Sequence, residues 1–96
     1  MPKKQKSAWI NEASTDMFRT ILKLKTLTEA QNFFRDLLTE AEIREFSNRW
    51  KAAQMLHKKI PFAQITKATR MSPNTIARIN RWLKKGHGGY RKMLKR

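Results

Sequence analysis

The chain has 96 residues, no cysteine and a formal net charge of +15 at pH 7. This length suits one small domain, and the absence of cysteine excludes disulfide bonds and thiolate metal sites. No apolar stretch reaches the roughly 20 residues of a membrane span, and Ala8-Trp9-Ile10 is too short for a secretory signal, so we expect a cytoplasmic protein without membrane contact.

Composition and hydrophobic spacing predict an all-α protein. The chain contains 3 glycines, 3 prolines and few neighbouring β-branched residues, a composition that favours helices over strands. Residues 1–12 contain three lysines and are predicted to be a flexible basic arm. Residues 13–96 are predicted to form a single domain.

Three helices are predicted within the first 58 residues. Apolar residues at helical spacing predict a first helix from about Ser14 to Lys25. Capping-box patterns at residues 26–29 and 39–42 start a second helix and a third, which ends near Lys58. The second helix has an apolar stripe of Ala30, Phe33, Phe34, Leu37 and Leu38, and the third has one of Ile43, Phe46, Trp50 and Ala53. We predict that the aromatic residues of both stripes are core.

Charge is distributed unevenly along the chain. Residues 46–96 contain 14 Lys and Arg and no Asp or Glu, whereas residues 1–45 contain 8 bases and 7 acids, so the second part carries +14 of the net +15. Such one-sided charge repels itself unless a polyanion binds it. Nucleic acid is the polyanion that fits best, because Lys and Arg neutralise phosphates and release their counterions.

Residues from about 62 to 85 have the pattern of a helix-turn-helix. A short helix is predicted for residues 62–69 after Pro61, and Ser72-Pro73 is a strong start for a second helix that Gly86 ends. The two helices need apolar residues at fixed offsets where they cross. The residues at these offsets are Ile65 and Ala68 in the first helix, Met71 in the turn, and Ile76, Ile79 and Leu83 in the second helix.

The second of these helices has a polar face opposite its apolar face. We predict that this helix places its first turns in the major groove of DNA, where Asn74, Thr75 and Arg78 read the bases. Asn suits adenine, Arg suits guanine, and the Thr methyl suits the thymine methyl. The predicted phosphate contacts are basic residues of both helices and the turn: Lys67, Arg70, Arg81, Lys84 and Lys85.

The stretch from Phe33 to Tyr90, 58 of the 96 residues, resembles the Trp-repressor superfamily and most closely its YerC/YecD-type branch. The more specific parts are the Thr-Ile-x-Arg-x-Asn motif of residues 75–80 and the Gly-x-Gly-Gly-Tyr motif of residues 86–90. The other matching stretches are Phe33-Phe34-Arg35-Asp36-Leu37-Leu38-Thr39, Asn48-Arg49-Trp50, Met55-Leu56, Ser72-Pro73-Asn74 and Arg81.

The resemblance implies an all-α, intertwined homodimer in which N-terminal helices of both subunits form one core. It also implies binding to a two-fold symmetric site in double-stranded DNA and regulation of transcription, with repression expected. In such a dimer, Trp9 is expected to pack across the interface. Trp82, beside the apolar stripe of its helix, either joins the interface or lies near DNA.

Two residues depart from the pattern of the family. The turn position that is usually Gly is Arg70 here, and a left-handed conformation at such a residue costs roughly 1 kcal/mol. Tryptophan-sensing members hold the indole between two Arg residues, which match Arg49 and Arg78 here. In those members, the residue directly after the second Arg is small and leaves room for the ring. Because the branched Ile79 occupies that last position, we expect no tryptophan co-repressor and no other cofactor.

Other classes of function remain as alternatives. A sequence-tolerant, nucleoid-associated DNA-binding protein would use the same charge, with a steep salt dependence and little sequence preference. RNA binding is less favoured, because the aromatic stacking platforms of single-strand readers are missing. A small-ligand sensor would need a pocket near Arg49 and Arg78.

An enzyme is not expected from this sequence. Only His57 and His87 would serve as acid–base groups near neutral pH, and they fall on different predicted elements. No metal-ligand cluster and no Ser-His-Asp order is suggested. The glycines of residues 86–89 follow a helix rather than a strand, so they do not have the pattern of a phosphate-binding loop.

Overall fold

The structure is a computed structural model that describes residues 8–96, so most of the predicted basic arm lies outside the described residues. The described chain has no strand, which confirms the all-α prediction. Its helices are α1 (Glu12–Ile21), α2 (Leu27–Leu37), α3 (Glu40–His57), α4 (Phe62–Thr69), α5 (Pro73–Lys85) and α6 (Gly89–Leu94). Contacts divide the chain after Leu38 into one unit with α1 and α2 and a second, Thr39–Arg96, with α3 to α6.

Helix α1 is shifted towards the N-terminus relative to its prediction. Asn11 caps it: the side chain of Asn11 accepts from Ser14 N at 2.9 Å, and Ser14 Oγ accepts from Asn11 N at 3.0 Å. The predicted end at Lys25 is wrong, because the helix stops at Ile21. The chain then tightens into a turn in which Lys23 N donates to Thr20 O and Leu24 N donates to Ile21 O.

Helix α2 begins at its predicted cap but not with a complete capping box. The hydroxyl of Thr26 accepts from Glu29 N at 3.0 Å, as predicted. The Glu29 carboxylate, however, accepts from Lys25 N at 2.9 Å, one residue before the cap. This bond ties Lys25, the last residue of the connection before the Thr26 cap, to the first turn of α2.

Neither α1 nor α2 contains a buried residue, although both are amphipathic. Large apolar side chains that remain exposed in this unit are Trp9, Ile10, Phe18, Leu22, Leu27 and Leu37. Phe33 and Phe34 are half-buried and pack edge to face, with ring centroids 5.7 Å apart. A helix with an apolar stripe is stable in water when that stripe is covered, so these two helices present a surface that suits a partner.

Helix α3 has the predicted start and a well-defined end. At its start, Thr39 Oγ1 accepts from Glu42 N at 3.1 Å and Glu42 accepts from Thr39 N at 2.9 Å, which confirms the capping box. At its end, Ile60 N donates to Met55 O and Lys59 N donates to Leu56 O, the bond pattern of a Schellman motif. Lys59 is left-handed, with φ of 64°, at the position where glycine is usual.

The core of the second unit lies where α3, α4 and α5 meet. Its fully buried residues are Ala52, Ala53, Ile65, Ile76 and Ile79. The small alanines let α4 and α5 approach α3 closely. Around this cluster pack the half-buried residues Met55, Leu56, Ile60, Met71 and Tyr90.

Three predicted core residues of the second unit are exposed in this chain. Phe46 and Trp50 are 45% and 37% exposed, because the buried part of α3 begins only at Ala52, after both aromatic residues. Ala68 is exposed, and Thr69 is buried in its place. Burial of Thr69 is tolerated because its hydroxyl donates to Ile65 O at 2.7 Å and accepts from Met71 N at 3.2 Å.

Candidate nucleic-acid interface

Helices α4 and α5 and the three residues between them form the predicted helix-turn-helix. Arg70 ends α4 in the left-handed conformation, with φ of 62° and ψ of 16°, and its N–H donates to Thr66 O at 2.7 Å. The structure therefore confirms that this position has the geometry in which glycine is usual, although it carries a cationic side chain.

The N-terminus of α5 is closed by its own residues. Ser72 Oγ accepts from Thr75 N at 3.2 Å, and Pro73 occupies the first helical position. The hydroxyls of Ser72 and Thr75 are also hydrogen-bonded to each other, at 3.0 Å. The Thr75 hydroxyl is therefore partly engaged within the cap, and Thr75 can offer a partner both its methyl group and the remaining hydrogen-bonding capacity of its hydroxyl.

Helix α5 separates an apolar face from a basic face. Ile76 and Ile79 are fully buried and Leu83 is 8% exposed. The eight residues predicted to bind DNA all lie on α4, the turn or α5, and seven are exposed while Thr75 is half-buried. They are Lys67 on α4, Arg70 in the turn, and Asn74, Thr75, Arg78, Arg81, Lys84 and Lys85 on α5.

The residues of the basic face lie at different heights along α5. With a rise of about 1.5 Å per residue, Arg78 is about 6 Å and Arg81 about 10 Å along the axis from Asn74. Lys84 and Lys85 are about 15 Å or more away. A B-DNA major groove is roughly 8.5 Å deep, so a helix that enters by its first turns would bring Asn74 and Arg78 to the bases and Arg81 to the phosphate ridge.

Acids of the second unit are confined to the first part of α3. Arg49 pairs with Glu45 at 2.7 Å, and its guanidinium lies 5.6 Å from the centre of the Phe46 ring. Beyond Glu45 the chain has no acid, so the cations of α4 and α5 have none in their own part of the chain to neutralise them. A face with this charge attracts an anion by its field.

The Gly-x-Gly-Gly-Tyr motif attaches α6 to α3. Gly88 has φ of 87°, a conformation in which a side chain would be strained, and Tyr90 follows in the first turn of α6. The Tyr90 ring stacks on Trp50, with centroids 6.1 Å apart. Burial raises the pKa of Tyr90 above its ordinary value of 10.0, and the positive charge of Arg49 offsets part of this rise.

This shift predicts a pH dependence of stability that Tyr90→Phe removes. The folded protein holds the phenolic proton more tightly than the unfolded chain, so the stabilisation is complete below pH 10.0 and decreases as the pH rises through the raised pKa. Urea unfolding of both proteins between neutral and strongly alkaline pH measures the difference. Tyr90 is the only tyrosine, so phenolate absorbance follows its titration directly, and a midpoint at or below the ordinary value would contradict the prediction.

Ile79, the residue on which the prediction of no tryptophan co-repressor rests, is part of the buried core. Ile79 is fully buried within the cluster that includes Ala52 and Ala53. Arg49 is half-buried and Arg78 exposed, on α3 and α5. The branched side chain of Ile79 thus packs into the core next to Arg78.

Residues 8–96 contain no group of three or more His, Cys, Asp or Glu side chains that could hold a metal ion. None of the helices described is both long and apolar enough to span a membrane.

Sequence reasoning missed three features of this region. It did not identify the buried hydroxyl of Thr69, the bond between Ser72 and Thr75, or the left-handed Lys59. Lys59 had a recognisable signal, since a proline two residues after it marks a helix end. The other two are hydrogen bonds that Ser and Thr form only in a given local geometry.

Comparison with known proteins agrees with the geometry. The family model described as Trp repressor protein matches residues 12–96. An uncharacterized protein of Bacillus subtilis (strain 168), YerC, is 38% identical over 80 residues, which are 83% of this chain and 77% of that protein. The crystal structure of a TrpR like protein from Eubacterium eligens ATCC 27750 superimposes with a TM-score of 0.86 at 37% identity, covering 91% of this chain and 90% of that one.

Proposed function

The chain belongs to the Trp repressor protein family of helix-turn-helix DNA-binding regulators, and we propose that it is a homodimeric repressor that recognises a specific two-fold symmetric DNA site without tryptophan. The observation that carries this proposal is the division of α5 into a fully buried apolar face and an exposed basic face. The protein acts in the cytoplasm, on the DNA of the nucleoid.

The first two turns of α5 read the bases. Asn74 and Arg78 are exposed and one turn apart, so both reach the floor of a major groove that the helix enters by its N-terminus. Thr75 contributes its methyl group, and the contact with Ser72 orients its hydroxyl towards the cap. These side chains suit adenine, guanine and thymine respectively.

Phosphate contacts surround these readers. Lys67 on α4, Arg70 in the turn and Arg81 on α5 are exposed cations near the phosphate ridge. Lys84 and Lys85, about 15 Å or more along the axis from Asn74, act on the phosphates mainly through their charge. Each contact adds about one unit to the salt slope of binding.

Dimer formation is supported by the apolar surface of the first unit. Helices α1 and α2 have no buried residue, and the exposed Phe46 and Trp50 of α3 add to the apolar surface of the chain. A second copy would cover these side chains and place two α5 helices about 34–36 Å apart, one turn of DNA. The sequence-tolerant alternative needs no such spacing.

The absence of a tryptophan requirement rests on Ile79, which is fully buried next to Arg78. Calorimetric titration with tryptophan is expected to show no saturable heat. Saturable binding would instead show that the site near Arg49 and Arg78 opens to accept a ligand.

Selection from randomised duplex DNA at near-physiological salt tests the proposed function. We expect enrichment of a two-fold symmetric motif with half-sites about one turn apart. Tight binding at low salt without enrichment of any sequence would contradict the site-specific regulator and favour a sequence-tolerant, nucleoid-type DNA-binding protein.

Substitutions at Thr75 separate the roles of its methyl and hydroxyl. Thr75→Ser is expected to weaken binding to the selected site by about 0.8 kcal/mol, the value of one buried carbon group. Thr75→Val keeps the methyl and retains site preference, although it loses the bond to Ser72. Repeating both titrations with uracil in place of the contacted thymine provides the control, because wild-type binding should then fall to that of Thr75→Ser. The opposite order of the two variants would assign the contact to the hydroxyl.

Arg70→Gly is expected to stabilise the fold and weaken DNA binding. Removing the left-handed strain gains roughly 1 kcal/mol, and the flexibility of glycine in the unfolded chain offsets about 0.5 kcal/mol or more of this gain. Thermal unfolding and DNA titration measure the two effects. Arg70→Ala is the matched control, because it loses the same charge but keeps the strain. A Gly variant no more stable than the Ala variant would show that the turn is not strained.

A further inference from the structure

A groove of about 470 Å³ runs along the second unit where the end of α3, the start of α4 and the last turns of α5 converge. Its floor is formed by the half-buried Leu56 and Ile60, the nearly buried Leu83, and Phe62, which is 39% exposed. Small-molecule sites have this kind of apolar floor and this range of volume. The floor is suited to an aliphatic or aromatic group.

The polar groups that border this floor are basic or neutral, and none of them is acidic. Lys59 lies at the α3 end, Lys84 lies at the α5 end, and the half-buried Asn80 lies on α5 one turn before Lys84. Two ammonium groups and an amide are donors that suit an anion. The remaining polar residue, His57, adds no negative charge, so the groove attracts anions and repels cations.

Two of these groups are held by the fold. The Schellman motif fixes the backbone of Lys59 in a left-handed conformation at the edge of the groove, and the Lys59 ammonium reaches the groove on a flexible side chain. Asn80 sits on a helix whose neighbouring Ile79 and Leu83 are buried, so its position is fixed as well. Within residues 8–96, the Asn80 amide has no hydrogen-bond partner, so it is available to a ligand.

We propose that this groove binds a small organic monocarboxylate with an apolar body. The carboxylate lies between Lys59, Asn80 and Lys84, and the apolar part covers Ile60 and Phe62. Since the occupant touches α3, α4 and α5 together, it contacts both helices of the helix-turn-helix. The site does not include the base-reading residues Asn74, Thr75 and Arg78, although it shares Lys84 with the proposed phosphate contacts.

Amide NMR titration of the full chain tests the proposal, with hexanoate as the probe at constant ionic strength. We expect saturable shifts centred on Lys59, Ile60, Asn80 and Lys84, with a Kd on the order of 1 mM. Acetate lacks the apolar body and hexanamide lacks the charge, so both are expected to shift these amides much less. Equal responses to hexanoate and acetate would show general attraction to a basic protein and would overturn the site.

Variants then locate the binding. Lys84→Met is expected to weaken hexanoate binding about fivefold, as one partly exposed charged contact predicts. Asn80→Leu should weaken it similarly, whereas Lys92→Met, with the same charge change on α6, should leave it unchanged. If the Lys84 and Lys92 variants bound hexanoate with equal affinity, the carboxylate would not bind in the groove. Because no DNA is present, these results do not depend on the proposed regulator.

Discussion

Arg78→Ala is expected to weaken binding to the selected DNA site by about 1–3 kcal/mol and binding to random DNA by less. The reason is geometric: Arg78 is exposed one turn after Asn74, at the height on α5 that we propose reaches the bases of a major groove. A guanine that loses its two hydrogen bonds to Arg is no longer distinguished from other bases. Titration of the selected site and of random duplexes over a range of salt concentrations measures both losses.

Arg81→Ala is the matched control for this prediction. Arg81 is on the same helix and equally exposed, but it lies about 10 Å from Asn74 along the axis and is proposed to contact phosphate. Its removal should weaken all duplexes alike and lower the salt slope by about one unit. If Arg78→Ala behaved in the same way, Arg78 would have to be reassigned from the bases to the phosphates.

The helix boundaries that sequence predicted well are those with local chemical signals. Thr39 with Glu42, Ser72 with Pro73, and Gly86 each mark a boundary by a hydrogen bond or a conformation confined to a few residues. The end of α1 had no such signal. Apolar spacing continued towards Lys25, but the chain had to leave the helix before Thr26, which is extended as the cap of α2.

Burial was harder to predict because it depends on which surfaces meet. Phe46 and Trp50 follow the same helical spacing as the fully buried Ala53, yet both aromatic side chains remain exposed in the single chain. Spacing alone does not distinguish a face covered within one chain from a face that suits a second copy. Thr69 was missed for another reason, since its own helix satisfies its hydroxyl.

The candidate site was predictable in its location and less so in its detail. Charge asymmetry, the cap at Ser72 and the family resemblance all indicated residues 62–85, and the structure has a helix-turn-helix there. The bond between Ser72 and Thr75 orients the Thr75 hydroxyl towards the cap. That orientation requires the geometry of the cap, which residue types alone do not supply.

Phe33→Asp is expected to abolish the dimer and leave a poorly folded monomer. Phe33 packs against Phe34 on the apolar stripe of a unit whose helices have no buried residue in the single chain. In an intertwined dimer this stripe would be covered by the second copy, and a carboxylate buried there without a partner costs several kcal/mol. Light scattering coupled to size exclusion measures the mass, and circular dichroism measures the loss of cooperative thermal unfolding.

Asn32→Asp provides the control on the same helix. Asn32 is exposed and adjacent to Phe33, so the variant adds the same charge without placing it on the apolar stripe. We expect it to remain dimeric with an unfolding temperature close to that of the wild type, because exposed substitutions usually change stability by less than about 0.5 kcal/mol. If Phe33→Asp were as stable and dimeric as this control, α2 would not lie in the dimer core. The exposed apolar side chains of the first unit would then have to be covered by something other than a second copy.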